Sequence, residues 1–159
     1  MTITNLVETH CHILPGIDDG APDVETSVQM IRQLKNQGAK AIILTPHYYS
    51  DSISYSNFIK KRNAAFAQLS AALGDDDPKL IPATEVYITD YLFNNENLKE
   101  LCIGNSGYAL IEHSFSCNFS QKTYERLLNL NYEFGIKPIL AHIERYEALF
   151  QNFEEIEEL

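Results

Sequence analysis

Glu8-Thr9-His10-Cys11-His12-Ile13-Leu14-Pro15-Gly16-Ile17-Asp18-Asp19-Gly20-Ala21 is the stretch from which the rest of the chain can be read. Two imidazoles stand one residue apart, and a turn carrying two carboxylates follows at once. In an extended segment alternate side chains point the same way, so His10 and His12 share a face and Cys11 takes the other. Pro15-Gly16 turns the chain and lets a carboxylate return toward the same spot. Imidazole with carboxylate suits Zn, Mn or Fe better than Ca or Mg. The stretch reads as the first half of a metal site.

The pattern recurs downstream. Residues 5–7 lead to His10 and His12, and residues 41–44 lead through Thr45-Pro46 to His47. Residues 80–84 lead to Glu85, residues 108–111 to Glu112, and residues 138–141 to His142. Five short apolar runs of strand character therefore each deliver a metal-competent side chain at the carboxyl end. Parallel βα folds, barrels above all, place their active sites there. Helical spacing of apolar residues fills the intervals and predicts helices over 23–37, 57–73 and 120–134, with a shorter one around 94–101. Gly38, Gly74 and Gly135 are the stops, and Ser120 is the expected amino-terminal cap of the third helix. The alternation assigns the chain to the α/β class.

Composition narrows the functional classes. The chain has 159 residues and is 45% hydrophobic, enough for one core in a single domain. No apolar run approaches the roughly 18 residues of a membrane span, and no basic-then-apolar leader opens the sequence. Cys11, Cys102 and Cys117 are odd in number and lack CxxC spacing, so they read as reduced thiols of a cytoplasmic protein. A formal charge of −10 opposes general nucleic-acid binding. Glu154, Glu155, Glu157 and Glu158 read as a solvated helix face, and Asp75, Asp76 and Asp77 as a solvated turn.

Individual residues have competing readings. His47 alone would be an ordinary strand-end histidine, whereas a glutamate directly after Ala109-Leu110-Ile111 is costly to bury without a cation or donor. Of Asp18 and Asp19, one caps the turn while the other ligates. His113 alternates away from Glu112 and reads as structural. Arg145 either pairs with Glu144 or Glu147 or binds phosphate, and Tyr48, Tyr49 and Tyr55 either line a cleft or pack. A cysteine phosphatase needs Arg six positions after its Cys. Those positions hold Ile17, Tyr108 and Thr123, so none of the three cysteines qualifies.

The opening stretch, Thr45-Pro46-His47, Ala83-Thr84-Glu85-Val86, Ala109-Leu110-Ile111-Glu112 and Leu140-Ala141-His142-Ile143-Glu144-Arg145-Tyr146 together resemble the polymerase and histidinol phosphatase (PHP) superfamily. Within it they most resemble the bacterial capsule and exopolysaccharide branch of manganese-dependent protein-tyrosine phosphatases. That resemblance covers nearly the whole chain. It implies a distorted TIM-like (β/α)7 barrel holding up to three divalent ions, Mn2+ before Fe or Zn. By position, His10, His12 and Glu85 would ligate the first ion, Glu85, Glu112 and His142 the second, and Asp19 and His47 the third. Arg145 would bind the substrate phosphate, and the substrate would be phosphotyrosine on a partner tyrosine kinase.

Departures from the family pattern set further expectations. Glu8 stands where the family has Asp, Tyr48 replaces a second His, and the family's late Asp-x-His motif is not found. About five βα units are expected, an incomplete barrel lacking its carboxyl-terminal part, whose open sheet edges should make it a homo-oligomer. Two alternatives follow: a weakly active metal-binding remnant serving as an interaction module, and a PHP hydrolase of small phosphoesters such as histidinol phosphate.

Overall fold

The structure, a computed structural model, describes residues 5–116 and 118–151. Cys117 and the glutamate-rich tail lie outside the described residues. The chain forms a mixed α/β fold whose strand pairings, among the described residues, are all parallel.

The strands are β1 (Leu6–Cys11), β2 (Ala39–Leu44), β3 (His47–Tyr49), β4 (Lys79–Pro82), β5 (Glu85–Tyr87), β6 (Tyr108–Glu112) and β7 (Lys137–Leu140). They form two sheets, ordered β1-β2-β4 and β3-β5-β6-β7. Thus seven segments stand where five apolar runs were expected. Backbone chemistry explains the difference. Pro46 has no N–H to give to a ladder, so β2 and β3 separate at Thr45-Pro46, and β4 and β5 separate at Ala83-Thr84. Hydrogen bonds from Ala83 N to Leu44 O and from Glu85 N to Pro46 O carry the pairing across both breaks. With β2–β3 and β4–β5 each taken as one interrupted strand, the order follows the chain: β1, β2–β3, β4–β5, β6, β7.

Helices cross between the strands. Helix α1 (Val24–Asn36) opens on Asp23, whose side chain accepts from Thr26 N, and Gly38 follows it at φ 100°. Helix α2 (Tyr55–Ser70) starts two residues before the expected position. Helix α3 (Gln121–Phe134) ends on Gly135 in the left-handed region, as predicted, but the Ser120 side chain makes no capping bond. The short helix expected around 94–101 is instead two 3-10 turns, Asp90–Asn94 and Lys99–Leu101. Asn95 Nδ2 donates to Leu92 O and Asn97 Oδ1 accepts from Lys99 N, so asparagine side chains take the groups an α-helix would need. A brief helix α4 (Glu147–Gln151) closes the described chain.

Two of the three apolar clusters among the described residues join sheets to helices. Ile13, Leu14, Ile31, Ile42, Leu44 and Leu69 join β1 and β2 to α1 and α2. Tyr48, Phe58, Val86, Leu101, Ile111 and Leu127 join β5 and β6 to α2 and α3. Ile17, in the loop after β1, packs against both. No helix among the described residues is long and apolar enough to cross a membrane.

Candidate metal centre

His10 near the end of strand β1 and His12 just after it stand with ring centroids 5.5 Å apart. Cys11 faces the other way, where its Sγ donates to Ile43 O at 3.2 Å. Burial, reinforced by the Glu8 charge, pushes this thiol up to about 12. Burial also raises the Cys102 thiol. Neither is a thiolate nucleophile at neutral pH.

The loop after β1 folds back on His12. Ala21 N donates to His12 O, and a Cβ at Gly20 would lie 2.0 Å from that same oxygen, so only glycine allows the approach. Asp18 is the organising carboxylate of the loop. It bonds to His12 Nδ1 at 2.9 Å and accepts from Gly20 N and His47 N, each at 3.0 Å. Burial alone would raise the Asp18 carboxyl, but these three donors outweigh it and hold it below the usual range. The Asp18 bond, with help from Glu85, pushes His12 up to about 10. Asp19, by contrast, is exposed, with Oδ1 3.9 Å from His47 Nε2. One carboxylate orders the turn and the other lines the cavity. Glu8 accepts from the His10 N–H and belongs to none of the donor groups described below.

Glu85 is the hub. It is 1% exposed at the head of β5, in register with His47 on β3. Its Oε2 lies 2.9 Å from His10 Nε2, 3.2 Å from His12 Nε2 and 3.4 Å from His47 Nδ1. Its Oε1 lies 2.9 Å from His142 Nε2. Burial pushes the carboxyl up, yet the hydrogen bonds from His10 and His12 hold it well below the ordinary range. Glu112, at the end of β6, approaches His142 at 3.3 Å and His47 at 3.5 Å. Burial and the neighbouring Glu85 raise the Glu112 carboxyl. His142 follows β7 with φ 34° and ψ 51°, a left-handed conformation that costs a non-glycine residue on the order of 1–3 kcal/mol.

Together His10, His12, Asp19, His47, Glu85, Glu112 and His142 line a cavity of about 520 Å3 with Arg145 and Phe115. The donor set fits divalent cations on two counts. Ligand atoms of His10, His12 and Glu85, of His12, Asp19 and His47, and of His47, Glu85 and Glu112 form three groups, each mutually within 4.8 Å. His47 Nδ1, Glu112 Oε2 and His142 Nδ1 are buried and make no hydrogen bond. Buried polar atoms rarely go unpaired unless something else satisfies them.

Arg145 is exposed, with Nε 3.7 Å from Glu144 and its guanidinium 5.6 Å over the Phe115 ring. Such an exposed ion pair holds a side chain only weakly. Sequence reasoning passed over Phe115, which lies in a short loop without periodicity and makes a T-shaped contact with His142, ring centroids 5.3 Å apart. Tyr48 is fully buried against Phe58 and Tyr55 is partly buried, so both pack, whereas Tyr49 reaches the surface beside His47. His113 is buried with its ring near Phe119, and its N–H donates to Tyr146 Oη.

The family described as capsular polysaccharide synthesis, CpsB/CapC, matches residues 6–159. The chain belongs to this family. Among its relatives is the tyrosine-protein phosphatase CpsB of Streptococcus agalactiae serotype V, 29% identical over 155 residues, covering 97% of this chain and 63% of that protein. The tyrosine-protein phosphatase YwqE of Bacillus subtilis strain 168 is 31% identical over 150 residues, covering 92% of this chain and 58% of YwqE. The fold aligns with a TM-score of 0.75 and 25% identity to a chain from the crystal structures of YwqE from Bacillus subtilis and CpsB from Streptococcus pneumoniae. Those proteins are described as unique metal-dependent tyrosine phosphatases, and the match covers 96% of this chain and 62% of the other. The chain thus spans about three fifths of the length of the curated relatives it matches.

Proposed function

We propose that this chain hydrolyses phosphotyrosine in proteins with the help of divalent metal ions, Mn2+ foremost with Fe or Zn as substitutes, bound among His10, His12, Asp19, His47, Glu85, Glu112 and His142. The observation that carries the reading is the environment of Glu85, a buried carboxylate with four imidazole nitrogens within 3.4 Å. One carboxylate oxygen cannot accept three well-formed imidazole hydrogen bonds, whereas a bridging carboxylate between cations can sit among several imidazole ligands. The strictly sequential parallel order supports placing these units in a TIM-like barrel of PHP type, with the site at the carboxyl ends of its strands.

When bound, divalent ions supply charge neutralisation at the phosphoryl oxygens and acidify water to a useful nucleophile near neutral pH. The chain's own residues do the rest. Asp18 fixes the His12 ring through Nδ1, which leaves Nε2 facing Glu85. Arg145, loosely held, swings its planar fork onto the phosphoryl oxygens. The phenolate of tyrosine, with a pKa of about 10, leaves with little protonation. The partner supported by the family is a phosphotyrosine protein of capsule or exopolysaccharide assembly, a tyrosine kinase above all, reached in the cytoplasm by an oligomer of this protein.

Metal content and phosphate release from a phosphotyrosine peptide, measured on one preparation, test this. Turnover should require added Mn2+ and stop with chelator. His12→Ala should lower metal content, and should reduce the rate by more than about 100-fold, since even partners outside the ligand set are worth 10–100-fold in affinity or activity. Hydrolysis of histidinol phosphate in preference to the peptide would overturn the protein substrate.

A further inference from the structure

Beside the cavity of imidazoles and carboxylates lies a second hollow of about 310 Å3, and Asp19 and His47 are common to both. Its remaining lining is of another kind. Ile17, Tyr49, Ile53 and Phe58 make an apolar floor and wall, with Asp18 on the side of the shared residues and Ser52 and Lys61 completing the lining. Ile17 and Ile53 rest on the buried core around Phe58, so the floor is firm. The Tyr49 ring sits 5.4 Å from His47 and 5.6 Å from Tyr87, and Lys61 Nζ ties down the Ile17 carbonyl at 3.0 Å. An apolar cavity of roughly 150 Å3 is enough to hold benzene, so this hollow has room for a phenyl ring.

An aryl phosphate carries its ring one ester oxygen from phosphorus. With the phosphoryl group among the donors of the larger cavity, the ring must enter a space that shares a wall with it. Two apolar surfaces qualify. Phe115 is 46% exposed and lines the larger cavity itself, between Arg145 and His142, where the phosphoryl group is placed. The second hollow lies beside the phosphoryl position and offers four apolar side chains, Ile17, Tyr49, Ile53 and Phe58, around one space. We propose that the hollow bounded by Ile17, Tyr49, Ile53 and Phe58 receives the aromatic ring of the substrate and so selects aryl over alkyl phosphate esters. The phosphatase reading enters only through the place given to the phosphate, because ring binding can be observed without turnover.

Methyl NMR of isoleucine-labelled, zinc-loaded protein reads the binding directly. Phenylphosphonate is expected to shift the Ile17 and Ile53 methyls by ring current, and methylphosphonate is not. Ser52→Trp, which sets a bulky indole at the rim, should abolish those shifts. It should also lower the ratio of kcat/KM for a phosphotyrosine peptide over the matching phosphoserine peptide by at least about tenfold, through KM. Phe115→Leu should leave the methyl shifts in place. Loss of phenylphosphonate binding in Phe115→Leu but not in Ser52→Trp would overturn the assignment, as would identical or absent isoleucine shifts with the two phosphonates. Shifts at Ile17 and Ile53 with no turnover of either peptide by manganese-loaded protein would uphold the aryl pocket and overturn the phosphatase reading instead.

Discussion

The flank of the centre built from β1, its loop and β3 differs from the flank built from β6 and β7. On the first, His12 has a carboxylate on its far nitrogen, Asp18 takes three donors, and Gly20 lets the loop close over the His12 backbone. On the second, the far nitrogen of His142 and one oxygen of Glu112 are buried without a hydrogen bond, and the His142 backbone is strained. Protein contacts therefore set His12 and its loop before any cation arrives, whereas His142 and Glu112, like His47 Nδ1 at the seam between the flanks, keep buried atoms free for one. In the language of preorganisation, the loop after β1 is the template and the β6–β7 flank is the part that a ligand completes.

Breaking the template should have the largest effect. Gly20→Ala puts a methyl group where the His12 carbonyl already sits, and the backbone must move to admit it. Displacement of about 1 Å at a reacting centre costs on the order of 100-fold. Phosphotyrosine turnover should fall by at least about that factor while circular dichroism stays native. Gly74→Ala is the matched control, since an added Cβ there meets nothing within 4 Å. An active Gly20→Ala enzyme would mean that the loop does not position His12.

A smaller effect is expected when the shape of the template is kept and its charge removed. Asp18→Asn leaves the loop donors partly served but takes away the charge that raises His12. Metal affinity by calorimetry should drop about 10–100-fold, the usual cost of losing a partner behind a ligand. In metal-free protein the His12 titration followed by NMR should move down from about 10 toward the ordinary histidine range. The comparison sharpens with His142, whose Nδ1 has no such partner to lose.

The same contrast governs what could be read in the chain. Donor positions were legible because each closes an apolar run, and the spacing of His10 and His12 shows their shared side in any extended strand. The Asp18–Asp19 division could be posed in sequence, but only the fold decides it, through the His47 N–H that returns from β3. The left-handed backbone of His142 was invisible, because neither Gly nor Asn marks it. Phe115 was missed for a related reason: it lies in a loop, where no periodicity distinguishes a side chain at a cavity rim from any other. Likewise Thr45-Pro46 looks like a strand end in sequence, yet the ladder resumes at His47.

The smallest effect separates two histidines of opposite behaviour. His12 is pushed up to about 10, so in metal-free protein its contribution to stability is complete below the ordinary histidine pKa of about 6.5 and is lost as pH rises through about 10. His113 sits one residue from Glu112 yet turns away from the centre, and burial, with Arg126 nearby, holds it down to about 4. The unfolded chain takes up a proton at this residue near pH 6.5 while the folded chain resists until about 4. Stability from His113 is therefore complete above 6.5 and drains away as pH falls toward 4, by on the order of 2 kcal/mol. His113→Phe keeps the ring beside Phe119 and removes a nitrogen that is buried without a partner. Urea midpoints at pH 5 and pH 7.5 should converge in this variant relative to the parent chain, with the gain confined to the acid side. An equal shift at both pH values would assign the effect to packing rather than to the proton.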